Sequence, residues 1–299
     1  MAPDSKCVLA EARSLSPQTL FTGGYALTAM IRDTDQIPPS SRSAILLSLA
    51  IVLIVVAGLL VFPGSIAAKT QIVLNGLCSQ RPSHSFVLGG ATLPLDARMT
   101  GLYIGAVCSL LWLIGSGRLR ATRMPSRLVI SVLVFFIALL GSDGVNALAF
   151  DLGLPHPYQP SNELRLVTGI LGGNTVGVVI AWLIGSSLWA NPEARQAVVE
   201  SPLELFPSLV MAATLGMLVV SGLPILFTPF AVGLVVATVF VFSAIGMVAL
   251  ALARGRAWTC YSYGDFLPMM GGGTLLAITI IAELAGMRLM AESAFGLPQ

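Results

Sequence analysis

Hydrophobic residues in this chain come in long blocks rather than at the spacing of an amphipathic helix or strand. A helix needs about 20 apolar residues to cross a hydrocarbon core about 30 Å thick. Seven blocks approach or reach that length, at 44–62, 97–115, 128–150, 166–189, 206–223, 230–252 and 266–289. The first is interrupted only by Ser48 and closed by Pro63. The second is short unless Asp96 to Met99 form its first turn. After Glu204 no charge occurs until Arg254, a stretch too long for one crossing. Pro224 and Pro229 divide it into two helices, because proline ends or bends a helix. The pattern predicts an all-α protein, a polytopic transmembrane bundle of about seven spans over 43–290. A tail of 1–42 precedes the bundle and a short tail of 291–299 follows it. Within the first tail, 17–31 is a candidate interfacial helix, broken off by Pro38 and Pro39.

Composition supports the membrane and removes several function classes. Of 299 residues, 56% are hydrophobic and only 10% charged, against about 25% charged in a soluble domain. So few charges cannot solvate a globule of this size, which excludes a soluble enzyme and a disordered chain. A net charge of +2 is too small for a nucleic-acid footprint. Four cysteines in so long a chain make no disulfide framework.

Charge placement then sets an expected orientation. The link between the second and third spans carries Arg118, Arg120, Arg123 and Arg127 without an acid. Basic residues concentrate in cytoplasmic loops, so this loop is expected inside, with the N-terminus inside as well. Most of the sixteen lysines and arginines then fall on the cytoplasmic side. Trp258, Tyr261 and Tyr263 cluster beside the 254–265 loop, as an interfacial aromatic belt would.

Three features carry candidate chemistry. Asp143 and Asn146, three residues apart, share a helix face. A carboxylate inside a span is costly and usually faces a cavity or a partner. Gly169, Gly173 and Gly177, beside Asn174 and Thr175, form a flat strip that lets another helix approach closely, and Gly101 and Gly105 repeat the spacing in the second span. Glu283 lies in the last span, preceded by Gly271, Gly272 and Gly273. On the expected topology, Asp143, Asn146 and Glu283 lie in the outer half of the membrane. Asn174 lies near mid-depth, and Arg98 and Arg165 at the outer rim. Acids from two helices and nearby arginines are therefore candidates for one outward polar pocket, or for separate structural contacts.

Recognised catalytic signatures are missing: no H-E-x-x-H, G-x-S-x-G, P-loop or dinucleotide fingerprint occurs. His84 and His156, the only histidines, fall in loops far apart in sequence, so a metal site has little support and no cofactor is expected.

The segment into the second span reads Cys78-Ser79-Gln80-Arg81-Pro82-Ser83-His84-Ser85-Phe86. It continues with Leu93-Pro94-Leu95-Asp96-Ala97-Arg98-Met99-Thr100-Gly101-Leu102-Tyr103-Ile104-Gly105. This resembles a family of prokaryotic predicted membrane proteins known as the domain of unknown function number 2085. Asp143-Gly144 and Asn162 through Gly169 resemble two further motifs of that family, and the likeness covers about 75–180. The family pattern implies a cluster of three cysteines and a histidine, fit for metal or thiol-redox chemistry. Here Cys78 remains, Ser79 stands at the histidine position, and Asp96 and Met99 stand at the C-x-x-C positions. Such a mixture of hard and soft donors serves no common metal. Gln80, Phe86, Arg98, Thr100, Gly101, Tyr103 and Gly105 then read as scaffold or ligand pocket.

The leading functional reading is a non-enzymatic membrane protein whose outward polar pocket binds or transports a small solute or ion. The alternative is an accessory or structural subunit of a larger membrane complex, and a third is a degenerate metal- or thiol-dependent membrane enzyme. The expected partners are the bilayer and either other membrane subunits or further copies of the chain, with no nucleic acid. The resemblance implies a prokaryotic inner membrane.

Overall fold

The computed structural model describes residues 63–295 except Ser262, together with Leu53, Ala57 and Val61. The tail 1–42 and nearly all of the first expected span, 44–62, lie outside the described residues. Helix α1 (Ile66–Leu74) is short and precedes six helices long and apolar enough to cross a membrane. These are α2 (Ala97–Gly115), α3 (Arg127–Asp151), α4 (Asn162–Ser187), α5 (Phe206–Val220), which reaches membrane length with the 3-10 turn Pro202–Leu205 that leads into it, α6 (Phe227–Ala253) and α7 (Phe266–Phe295).

Local chemistry sets their limits. Side chains of Ser65, Asp96, Ser126 and Ser161 accept hydrogen bonds from the backbone N–H three residues on, capping α1 to α4. Such caps satisfy donors that a helix start leaves orphaned. The Ser161 cap brings Asn162, Glu163 and Arg165 into the first turn of α4, so this helix begins four residues before the apolar block at Leu166. It stops before Trp189, which pairs instead with Cys260. Helix α6 begins at Phe227, ahead of the expected 230, because Pro229 is tolerated in a first helical turn. Helix α7 continues to Phe295, past the expected end at Leu289. Two strand pairs occur in the connections, where apolar periodicity gives no signal. β1 (Val87–Leu88) pairs antiparallel with β2 (Ala91–Thr92), and β3 (Ala121–Arg123) pairs parallel with β4 (Glu193–Ala197).

Helices α2, α4 and α6 bury more than half of their membrane-length windows, while α3, α5 and α7 bury less than a third. The first three form the inside of the bundle, and the others present apolar side chains outward. Connections collect at two ends. One end holds 63–96, 152–161 and 221–226. The other holds the arginine-rich 116–126 with 188–205 and 254–265. All four tryptophans mark this second end. The indole N–H groups of Trp112, Trp182, Trp189 and Trp258 donate to the carbonyls of Glu204, Thr122, Leu119 and Ser186. Trp112 and Trp258 are exposed there, whereas Trp189 is buried in the core.

Candidate functional site

The site is built on the contact between α2 and α4. A Cβ at Gly105 would lie 2.2 Å from the Ile170 carbonyl oxygen, and one at Gly173 only 2.0 Å from that of Leu102. Gly101 and Gly169 meet Leu166 and Arg98 carbonyls equally closely, and Gly177 sits against Ser109. The two glycine strips thus face one another with their backbones in contact, which only residues lacking a Cβ permit. Arg98 and Thr168, on the two locked helices, are held in one fixed relation.

Arg98 reaches Asp143 on α3. Its Nη2 lies 2.6 Å from Oδ2, its Nε donates to the same oxygen at 3.3 Å, and Nη2 also donates to the Asp143 carbonyl. The Tyr158 hydroxyl donates to Oδ1 at 3.0 Å, and Thr168 Oγ1 to Oδ2 at 3.4 Å. Asp143 is only 1% exposed. Burying a carboxylate costs several kcal/mol unless a cation and hydrogen bonds replace its water, and here both oxygens are engaged. Asn146, one turn along α3, grips Tyr158 through its backbone: Nδ2 donates to the Tyr158 carbonyl and Oδ1 accepts from its N–H. Burial, and then the bond to Asp143, push the Tyr158 phenol above its ordinary pKa, so it stays a donor. The network ties the 152–161 connection to three helices.

Beside it stands the segment before α2. The Cys78 thiol donates to Asp96 Oδ2 at 3.2 Å and accepts from the N–H groups of Gln80 and Asp96. Burial first, then the Asp96 carboxylate, push this thiol up to about 11, so it is protonated at neutral pH and a poor nucleophile. Asp96 Oδ1 is taken by the Met99 N–H as the α2 cap. Among the described residues no group of three His, Cys, Asp or Glu could hold a metal ion. Gln80 Nε2 donates to the carbonyls of Gln71 and Pro94, pinning α1 against the approach to α2. Phe86 packs against the core, as the buried Thr100 and Tyr103 do within α2.

Arg288, on α7, does not stand out in the sequence. Its guanidinium donates to the carbonyls of Asn75, Cys78 and Ser79 and pairs with Glu292 at 2.7 Å. The i,i+4 spacing of Arg288 and Glu292 is its one local signal. Tyr158 and Thr168 give none, since a loop tyrosine and a helix threonine are commonplace.

Other candidates fall elsewhere. Arg165 is buried and donates to Asn162 Oδ1 rather than to an acid; it lies near His84. Burial, and then that arginine, lower the His84 pKa, leaving Arg81 as the cation for Asp151 at 3.1 Å. Asn174 is wholly buried and donates to Ser208 on α5 at 2.7 Å. The expectation that Glu283 joins Asp143 in one pocket is corrected: Glu283 is exposed on α7. Helix α7 packs mainly on α6 and the α1 segment, whereas α3 packs mainly on α4. Spans three and seven are not the close neighbours that a shared pocket requires.

No curated protein and no solved structure matches the chain. The stretch from Cys78 through the helices of the Asp143 network does have a counterpart. Residues 78–179 match the family described as "Predicted membrane protein (DUF2085)".

Proposed function

We propose that this chain is a structural or accessory subunit of a larger membrane assembly. The observation that carries this reading is Glu283. It sits near the middle of α7 and is exposed. Among the described residues it makes no hydrogen bond or ion pair. A charged side chain facing lipid at the bilayer centre costs about 2.5–3.5 kcal/mol on insertion scales; a polar group on a neighbouring subunit would offset that cost. The Asp143 network supports the reading from the other side, because its polar atoms are bonded to one another. Purification in mild detergent is expected to recover the chain with other membrane proteins, and Glu283→Ala to release them. Recovery of a lone chain or a simple homo-oligomer would overturn the proposal.

One observation favours the polar-pocket reading instead. Asn174 Oδ1 is buried and, among the described residues, accepts no hydrogen bond, leaving an acceptor inside the bundle. A lone chain in the same purification would turn attention to that atom.

The proposal also places the arginine-bearing end in the cytoplasm of a prokaryotic cell, with the chain in its inner membrane and the N-terminus inside. On a cysteine-reduced background, a membrane-impermeant maleimide should label Leu154→Cys in intact cells and Met124→Cys only after permeabilisation. The reverse pattern would invert the orientation.

A further inference from the structure

A cavity of about 340 Å³ opens between α3 and α4 near the arginine-bearing end. Met124 and Pro125, in the loop before α3, line it together with Ile130, Val134, Thr175 and Trp182 among others, and no polar surface lines it. The Thr175 hydroxyl is turned to the carbonyls of Leu171 and Leu133, and the Trp182 N–H is taken by Thr122. Such a groove on the outer side of a membrane bundle suits a hydrocarbon chain.

The four arginines of the adjoining loop divide into two pairs. Arg118 is committed to Glu204 at 3.2 Å, Glu200 at 3.7 Å and the Ala197 carbonyl. Arg120 lies over the Trp189 ring, 4.3 Å from its centre. Arg123 and Arg127 are exposed, and among the described residues their side chains make no hydrogen bond or ion pair. They flank Met124 and Pro125, which line the groove from the loop at its arginine-bearing end. Arg127 also opens α3, where the helix dipole favours an anion. Two unengaged cations at one end of an apolar groove match a molecule with an anionic head and a hydrocarbon tail.

We propose that this groove binds an anionic phospholipid from the leaflet at the arginine-bearing end, its phosphate on Arg123 and Arg127 and one acyl chain between α3 and α4. The inference is independent of the subunit reading, since a lone chain would bind the lipid equally well. Neither arginine is needed for the fold network described above, so replacing them leaves the bundle intact.

Trp182 supplies the probe, because brominated acyl chains quench a tryptophan they touch. The full chain is placed in nanodiscs with brominated phosphatidylglycerol or brominated phosphatidylcholine, and the Trp182 component is isolated by comparison with Trp182→Phe. Near an anionic lipid each arginine contributes about fivefold, hence about twenty-five-fold for the pair. Phosphatidylglycerol should quench Trp182 at a correspondingly lower mole fraction, and R123Q/R127Q should abolish the difference while quenching by phosphatidylcholine persists. Equal quenching by both lipids in the unmodified chain would overturn the proposal, showing a lipid-facing surface without headgroup selection. Loss of any Trp182 component would overturn it as well, pointing to a groove filled by protein.

Discussion

Replacing Gly173 by leucine should separate α2 from α4 and prevent the bundle from assembling. The Cβ alone would fall 2.0 Å from the Leu102 carbonyl oxygen. A carbonyl oxygen in a helix cannot turn aside as a side chain can, so the helices themselves must part. Overpacking typically costs about 1–3 kcal/mol when side chains can adjust; with backbone on both sides the cost should lie at or above that upper end. The separation would spread along the strip, because Gly101, Gly105 and Gly169 make equally close approaches. It would also move Arg98 and Thr168 relative to Asp143. Gly141→Ala is the control, since nothing lies within 4 Å of the Cβ it would add. Thermal unfolding in detergent should show Gly141→Ala near the parent and Gly173→Leu far below it or not recoverable as a monodisperse protein. Equal behaviour of the two variants would refute the interlock.

Arg98→Ala should cost about 3–5 kcal/mol, the usual loss when one member of a buried pair is removed and the other is left without its counter-charge. Asp143→Asn should cost less. Its amide oxygen still accepts from Tyr158 or Thr168, and the Arg98 side chain, 26% exposed against 1% for Asp143, can turn toward water. Asp143→Ala should be worse than Asp143→Asn, because it removes the acceptor of Tyr158 and Thr168 as well as the charge. The ordering of unfolding temperatures tests this: the parent highest, then Asp143→Asn, then the two alanine variants. If Arg98→Ala were as stable as the parent, the ion pair would have no part in holding the 152–161 connection to the bundle.

Asp143 and the glycine strips were legible in the sequence because each departs from its surroundings: a charge inside an apolar block, and glycines at a regular spacing of four. Asp143 and Glu283 do not share a pocket, and the reason is physical. Helix direction gives both the same depth, but depth fixes only one coordinate. Position around the bundle depends on which helices touch, and α7 packs on α6 and the α1 segment. Arg288 illustrates the opposite case. In the sequence it is one arginine near the end of a span. In the structure it holds three carbonyls of the Cys78 segment, more than 200 residues away in the chain.

What the sequence determined by itself is the solvent and the elements. Apolar blocks of spanning length, capped by Ser or Asp and divided by prolines, specify membrane helices because backbone groups in lipid must bond within their own segment. That rule acts locally, so it can be read locally. The tertiary structure decided which glycine strip meets which, which cation answers Asp143, and which ionisable group is left facing outward. Those outcomes depend on side-chain shape and charge matched between distant helices. In lipid, where apolar surface supplies little drive for helices to associate, close packing and polar bonds make that choice.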